Sequence, residues 1–260
     1  MSPVHQTAAR RSPADRVSQR LCIDDLCRGL ARQNYLFIDG TTTTSILTDL
    51  HQNALADWHD FAASWNDMPV DGHMADGGIY RRRRHATLAA NADSAEWWVK
   101  AHQPHYQERD FNSLNGGVAR HYEPVRQGIL QGPSLSSIVG LGCRVFSGLA
   151  PYYPWHIELH QFRIESNAEF VGKPTPEGVH RDGVNFVIMA MVSHSNMAGA
   201  ESTIYDLERH ALTSFTLNAP LDVAIVNDAQ VFHGVSPISP RGPKTPAVRD
   251  VLVATFRKQF

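Results

Sequence analysis

The first quarter of the chain carries apolar residues at helical spacing. A capping pattern at 12–15, followed by apolar residues every three to five positions, predicts a helix that ends near Arg32. Residues 35–38 predict a short strand, and the apolar stripe of 45–64 predicts a second helix. Residues 1–13 show no such pattern and are predicted to be a disordered tail.

After Pro154 the pattern changes to short β-branched and aromatic segments separated by Gly, Pro, Asn and Ser. Strands are predicted at 155–165, 179–193, 201–206, 211–217, 221–227, 231–235 and 248–258. Upstream, 79–88 predicts an extended segment and 134–149 a helix, although Gly140 and Gly142 weaken that helix. Many short strands without intervening helices favour a mainly β fold with a helical annex, whose core is a jelly roll or barrel. We expect one domain over 14–260, helical at 14–70 and β from about 76.

Composition excludes several classes of partner. The chain of 260 residues has a formal net charge of -2, so no overall field attracts nucleic acid or an anionic membrane. No apolar run reaches the roughly 18 residues that span a bilayer, and the start lacks the apolar segment of a secretory signal. Three cysteines without a C-x-x-C pair suit a reduced, cytoplasmic protein. We therefore expect a small-molecule partner, and the oligomeric state stays open.

Two histidines and one aspartate form the candidate metal site. His180 and Asp182 lie two apart in a predicted strand, so both side chains point to one face. His233, on a later strand, supplies a third ligand. This facial set is typical of non-haem Fe(II) oxygenases and leaves three coordination positions open. Chance alone gives about one H-x-D in such a chain, and residues 156–158 form a competing H-x-E.

The residues around His180 and Asp182 favour the H-x-D pattern at 180–182 over a chance match. An apolar strand follows Asp182 directly, and Arg249 opens the last strand, where a guanidinium could bind the distal carboxylate of a 2-oxo diacid. Each of these residues, taken alone, also has a non-functional explanation, such as a surface histidine or an arginine at the rim of a barrel. The ordered set is what carries the prediction.

The set resembles the 2-oxoglutarate/Fe(II) oxygenases of double-stranded β-helix (jelly roll, cupin-like) fold. Segments 76–85, 115–120 and 178–183 are most similar to the bacterial group that hydroxylates free amino acids, the L-isoleucine dioxygenase-like group. The resemblance covers about 76 to the C-terminus and implies Fe(II), 2-oxoglutarate and O2 as cofactors.

The resemblance also implies roles for individual residues. His180, Asp182 and His233 would hold the iron, and Arg249 would anchor 2-oxoglutarate. Many relatives carry a serine two residues after that arginine, whereas this chain has Val251. If Arg249 does not bind 2-oxoglutarate, Arg241, in a Gly- and Pro-rich segment, is the alternative anchor.

The run of arginines at 81–84 has three interpretations: a nucleic-acid patch, which the net charge disfavours, an ion-paired strand, or a substrate site. In the third, Arg81 or Arg83 faces inward and binds the α-carboxylate of an amino acid. Gln161 and Arg163 share one strand face, which either lines the site and contacts 2-oxoglutarate or forms a buried polar network. Asp228 either orients His233 or stabilises a turn.

Two functions follow from this sequence. The first is a dioxygenase that hydroxylates an unactivated C–H bond of a free L-amino acid or of a larger amino-acid-derived metabolite. The second is a non-catalytic, cupin-like β-barrel that binds a metal or small ligand without turnover.

Overall fold

The computed structural model describes residues 21–93 and 95–260. The helices are α1 (Ile23–Gln33), α2 (Gly40–Leu50), α3 (Trp58–Ala63), α4 (Gln127–Leu130) and α5 (Pro133–Leu149). The strands are β1 (Tyr35–Ile38), β2 (Arg81–Ala90), β3 (Trp97–Val99), β4 (Trp155–Ser166), β5 (Phe186–Ser195), β6 (Met197–Gly199), β7 (Glu201–Tyr205), β8 (Ala211–Thr216), β9 (Val223–Asn227), β10 (Phe232–Val235), β11 (Ile238–Pro240) and β12 (Ala247–Lys258).

The fold is a jelly roll built from antiparallel sheets. A seven-stranded sheet has the order β1-β9-β5-β12-β4-β2-β3, a three-stranded sheet has the order β10-β7-β8, and β11 pairs with β6. The sheets do not close into a barrel. The predicted mainly β class with a helical annex is confirmed, and within the described ranges no helix is long and apolar enough to cross a bilayer.

The helices and one face of the large sheet form the main hydrophobic core. Leu30 of α1, Phe146 of α5 and Leu159 of β4 are fully buried in the same cluster. Gly142 in α5 permits close packing there, because a Cβ atom would lie 2.7 Å from the ring of Phe256. The glycine that weakened the helix prediction is thus explained by the approach of α5 to the sheet.

The predicted second helix over 45–64 is wrong, since the segment forms two helices. Asp39 caps α2 by accepting a hydrogen bond from the backbone N–H of Thr42 at 2.9 Å, so this helix begins earlier than predicted. Successive turns then separate α2 from α3, one of them closed by the N–H of Ala54 on the carbonyl of His51. The capping pattern at 12–15 and the predicted tail lie outside the described residues.

Candidate active site

Backbone pairing brings His180 and His233 together. Each donates its backbone N–H to the carbonyl oxygen of the other at 2.9 Å. His233 lies in β10, whereas His180 and Asp182 lie in the loop before β5. The strand predicted over 179–193 is therefore wrong at its start, because Gly183 takes a φ of +77° and β5 begins only after it.

His180, Asp182 and His233 form what we call the three-donor centre. The two carboxylate oxygens of Asp182 lie 3.6 Å from His180 Nε2 and 3.6 Å from His233 Nε2, respectively. The histidine ring centroids are 4.5 Å apart. One donor atom from each side chain lies within 4.8 Å of the other two, so a single metal ion could contact all three.

Hydrogen bonding presents the right nitrogen of His180 to this centre. His180 Nδ1 lies 3.1 Å from the carbonyl oxygen of Gly178, which only accepts, so Nδ1 donates there and Nε2 faces Asp182. Burial opposes charge on His180, but the hydrogen bond and charge of Asp182 raise its pKa to about 9. Asp182 therefore already stabilises a positive charge on its neighbour at this position. A bound metal cation would take the place of that charge.

The other two members of the centre are shifted in the opposite direction. Burial would raise the pKa of Asp182, yet its hydrogen bond to His180 and the neighbouring histidine charges hold that pKa well below its usual range. Burial and the charge of His180 lower the pKa of His233 to about 4. An ionised carboxylate and a neutral imidazole are the forms that bind metal.

Asp228 holds the loop that carries Asp182. Its carboxylate accepts hydrogen bonds from the backbone N–H groups of Asp182, Gly183 and Val184 at 2.9 to 3.1 Å. It also lies 3.9 Å from His233 Nδ1. Burial and the charge of Asp182 raise the pKa of Asp228 to about 7. Of the two roles that the sequence left open, the hydrogen bonds favour stabilisation of the loop turn.

Glu177 approaches the centre without joining it. Its Oε1 lies 3.4 Å from His180 Nε2, but no Glu177 oxygen belongs to the set of donor atoms that lie within 4.8 Å of one another. The donor set of the described residues is thus two imidazoles and one carboxylate, which suits Fe(II) and leaves coordination positions for small ligands.

The three-donor centre opens into a cavity of about 250 Å³ between the two main sheets. Arg249 lines this cavity, is 6% exposed, and has no hydrogen-bond partner at Nε. Burial lowers its pKa to about 10. Val251 also faces the cavity, while Arg241 is exposed and lies outside its lining.

Arg81 and Arg83 are both buried and line the cavity, as one interpretation of the arginine run predicted. Arg81 forms an ion pair with Asp71 at 2.7 Å. Arg83 donates to Tyr122 Oη and to His160 Nδ1, each at 2.9 Å. Their roles in substrate binding stay a prediction.

Gln161 and Arg163 share a face of β4, but it is the opposite face from the cavity. Gln161 Nε2 donates to Ser64 Oγ at 2.8 Å, and Arg163 forms an ion pair with Asp250 at 2.7 Å. Neither lines the cavity. The interpretation that this face contacts 2-oxoglutarate is corrected in favour of the buried polar network.

A second group of histidines surrounds Glu158 on the cavity wall. We call it the Glu158 cluster, and its members are His85, His105, Glu158 and His160. Glu158 contacts His105 Nδ1 at 2.5 Å. His160 Nδ1 accepts from Arg83, so its other nitrogen carries the proton. The sequence indicated Glu158 only as part of a competing H-x-E pattern, and the alternation of polar residues along β4 was the available signal.

Arg120 is one of several cavity-lining residues to which the sequence gave no role. It is 1% exposed, lines the cavity, and pairs through its backbone with His105. The available signal for Arg120 was its place after Gly116-Gly117, within segment 115–120 of the family resemblance.

Facing antiparallel sheets around a two-histidine, one-carboxylate centre are the arrangement of mononuclear non-haem iron oxygenases. The chain belongs to the 2OG-Fe dioxygenase family, whose model matches residues 62–255. It is a 2-oxoglutarate-dependent dioxygenase, and its cofactors are Fe(II), 2-oxoglutarate and O2. The non-catalytic barrel is thereby set aside.

Proteins with similar sequences act on isoleucine and on a hydroxylated isoleucine. The 3(1)-hydroxy-L-isoleucine 4-dioxygenase of Pantoea ananatis is 23% identical over 88% of this chain and 94% of its own length. The L-isoleucine-4-hydroxylase of Bacillus thuringiensis is 25% identical over 69% of this chain and 75% of its own length. A solved bsmA homolog from Methylobium petroleophilum PM1 has a TM-score of 0.77 and 29% identity, covering 92% of this chain and 94% of that chain.

Proposed function

We propose that this dioxygenase hydroxylates an unactivated C–H bond of a free L-amino acid, with iron bound by His180, Asp182 and His233. The observation that carries the proposal is the convergence of these three donors within 4.8 Å at the wall of a buried cavity. The substrate class is supported by the two curated relatives, whose names specify isoleucine and a hydroxyisoleucine.

Arg249 is the proposed anchor for the distal carboxylate of 2-oxoglutarate. Its buried Nε has no partner, and no acid of the described ranges lies within ion-pair distance of its guanidinium. A buried cation without a counter-charge is costly, so an anionic ligand would compensate it. Arg81 and Arg83 are proposed to add positive potential on the substrate side, since both line the same cavity.

The protein contributes positioning and exclusion of water. When bound, iron and 2-oxoglutarate supply the activation of O2 that C–H hydroxylation requires. Asp228 holds the Asp182 loop in place, and Gln107 donates to the carbonyl oxygen of Asp182 at 3.1 Å, which ties the segment around Gln107 to that loop. The apolar side chains of Val187 and Met189 line the wall beside these polar groups.

We also propose that residues 14–260 act as one domain in the cytoplasm. Helices α1 to α3 share a single hydrophobic core with the large sheet, so the helical annex has no separate core of its own. The three cysteines are free, which suits a reducing compartment.

Anaerobic spectroscopy and a product screen test the proposal. Fe(II) plus 2-oxoglutarate should give a visible charge-transfer band that is absent in His180→Ala and retained in His59→Ala, a fully exposed histidine. Succinate release over a panel of free L-amino acids should identify the substrate. A band that persists in His180→Ala would contradict the metal assignment, and no substrate-dependent succinate with any panel member would contradict the substrate class.

A further inference from the structure

Three buried arginines line the cavity without a carboxylate partner. In the part of the chain that the structure describes, Arg83, Arg120 and Arg249 form no ion pair within 4.0 Å, although each is at most 6% exposed. Removing a guanidinium from water without a counter-charge is expensive. Each of the three therefore needs another source of compensation.

Arg83 is compensated by the protein itself. Two of its nitrogens donate to Tyr122 and His160, and its guanidinium lies 4.0 Å from the ring centroid of Tyr122 and 4.7 Å from that of Phe162. Two hydrogen bonds and two aromatic faces satisfy much of this cation. Arg83 is thus bound within the cavity wall.

Arg120 lacks such compensation. Its Nε, like that of Arg83, has no partner, and its one side-chain hydrogen bond among the described residues is a long contact of 3.5 Å from Nη2 to Gln107 Oε1. At 1% exposure it is among the most deeply buried large side chains described. The protein therefore supplies almost no partner for the charge of Arg120, and the Arg120 side chain lines the cavity.

The backbone around Arg120 is rigidly held. Arg120 and His105 exchange backbone hydrogen bonds of 3.0 and 2.9 Å, and the N–H of Gly117 donates to the carbonyl of Gln107 at 2.8 Å. Gly117 takes a φ of +81°, a conformation that L side chains rarely adopt. The turn therefore presents Arg120 at a defined place rather than as a mobile surface group.

The same segment links Arg120 to the three-donor centre. Gln107 accepts from Arg120 with its oxygen and donates from its nitrogen to the carbonyl of Asp182 at 3.1 Å. One amide side chain therefore separates the guanidinium from a proposed iron ligand. A ligand carboxylate on Arg120 would leave the rest of a small substrate near that centre.

Arg249 approaches the cavity from another end. It is in register with Ile164, whereas Glu158, which contacts His105, lies six positions away along β4. At about 3.3 Å per residue these strand positions are about 20 Å apart. Arg120, whose backbone pairs with His105 beside Glu158, and Arg249 therefore enter the cavity from distant backbone positions, which suits two different anionic ligands better than one.

We propose that Arg120 binds the α-carboxylate of the amino acid substrate, while Arg249 serves 2-oxoglutarate. This assignment rests on the proposed function, since it presupposes an amino acid substrate. It also replaces Arg83 by Arg120 as the direct contact in the arginine-based recognition that the sequence suggested. A fixed carboxylate contact would determine which carbon of the substrate is presented to the metal.

A comparison of an amino acid with its primary amide tests this role. L-Isoleucine, or the panel member that releases the most succinate, is compared with its amide, which keeps the ammonium and side chain but lacks the negative charge. The wild type should favour the acid by at least about tenfold, as expected of a charge-assisted hydrogen bond. In Arg120→Met this preference should disappear, while the KM for 2-oxoglutarate stays within about twofold.

Binding and control variants separate the outcomes. Anaerobic titration of the amino acid, followed by its effect on the charge-transfer band, gives affinity without turnover. Arg120→Lys, which keeps a charge, should retain part of the preference, and Arg109→Met, an exposed arginine of the same segment, should retain all of it. If both Arg120 variants keep the full preference, or if their loss falls on 2-oxoglutarate, the inference is overturned. A wild type without activity on any amino acid overturns the proposed function itself.

Discussion

The cavity contains two groups of histidines and carboxylates, and their neighbours differ. In each group the potential donor atoms lie within 4.8 Å of one another. At the three-donor centre, His180 donates from Nδ1 to a backbone carbonyl and keeps Nε2 toward Asp182. In the Glu158 cluster, Arg83 donates to His160 Nδ1, so a cation already lies beside the imidazoles.

This difference shows that residue type and proximity do not by themselves make a metal site. A cation is favoured where a carboxylate lies among imidazoles whose basic nitrogens are free, and it is disfavoured beside a buried guanidinium. Burial and the charge of Arg83 lower the pKa of His160 well below its ordinary value. We therefore interpret the Glu158 cluster as a polar wall of neutral imidazoles around one ionised glutamate.

Removal of a carboxylate from each group should have the largest and most unequal effects. Asp182→Ala should lower Fe(II) affinity by more than about 100-fold, because a direct ligand contributes more than an outer partner. Glu158→Gln should leave the iron stoichiometry unchanged. Anaerobic iron titration measures both, and equal losses would show that the two groups do not differ as proposed.

Arg249→Met should raise the KM for 2-oxoglutarate by about 10- to 150-fold, the range of one charge-assisted hydrogen bond. The effect should fall on 2-oxoglutarate rather than on the amino acid, in contrast to Arg120→Met. Steady-state kinetics with each substrate varied in turn measure the two. An unchanged KM for 2-oxoglutarate would show that Arg249 does not anchor it.

The Glu158 cluster should make the fold sensitive to acid. Burial lowers the pKa of His85 from 6.5 to about 3, and the charge of Glu158 offsets only part of this shift. Between pH 6.5 and about pH 3 the unfolded chain binds more protons than the folded one, so the free energy of unfolding falls as pH decreases. From pH 7 to 5 the loss from His85 is about 2 kcal/mol.

Urea unfolding at several pH values measures this loss. His85→Gln, which cannot take up a proton, should flatten the decline relative to wild type. A decline with the same slope in the variant would assign the acid sensitivity to other groups.

The smallest effect is expected at Gln161, on the face of β4 away from the cavity. Gln161→Leu should cost about 1 kcal/mol of stability by removing the hydrogen bond to Ser64, with little change in the KM for 2-oxoglutarate. Ser64→Ala should cost a similar amount. A specific rise in the KM of Gln161→Leu would restore the original interpretation.

Local patterns predicted much of the architecture. The predicted bounds of β1 agree with the structure, and those of β4, β7 and β12 each differ from it by one residue at one end only. The second helix was wrongly predicted as one continuous helix, because no Gly or Pro lies in the turns between α2 and α3 to indicate a break. Their ends depend instead on the Asp39 cap and on packing against the sheet.

The candidate site likewise has features that the sequence predicted and features that it did not. The sequence pattern indicated His180, Asp182, His233 and Arg249, since ligand type and order along the chain are local information. It also showed correctly that Gln161 and Arg163 share a face, but not which face. Because β4 is buried on both sides, with core on one and cavity on the other, alternation carries no direction.

The amino-acid sequence by itself determined the family and most of the longer strands and predicted the metal-ligand residues, since these depend on residue type and short-range period. Only the tertiary structure decided which buried charges are compensated. Arg83 and Arg120 look alike in the sequence, but one lies between aromatic rings and the other faces the cavity nearly unpartnered. Compensation of a charge depends on groups distant in the chain that folding brings within a few ångströms, and no local pattern records it.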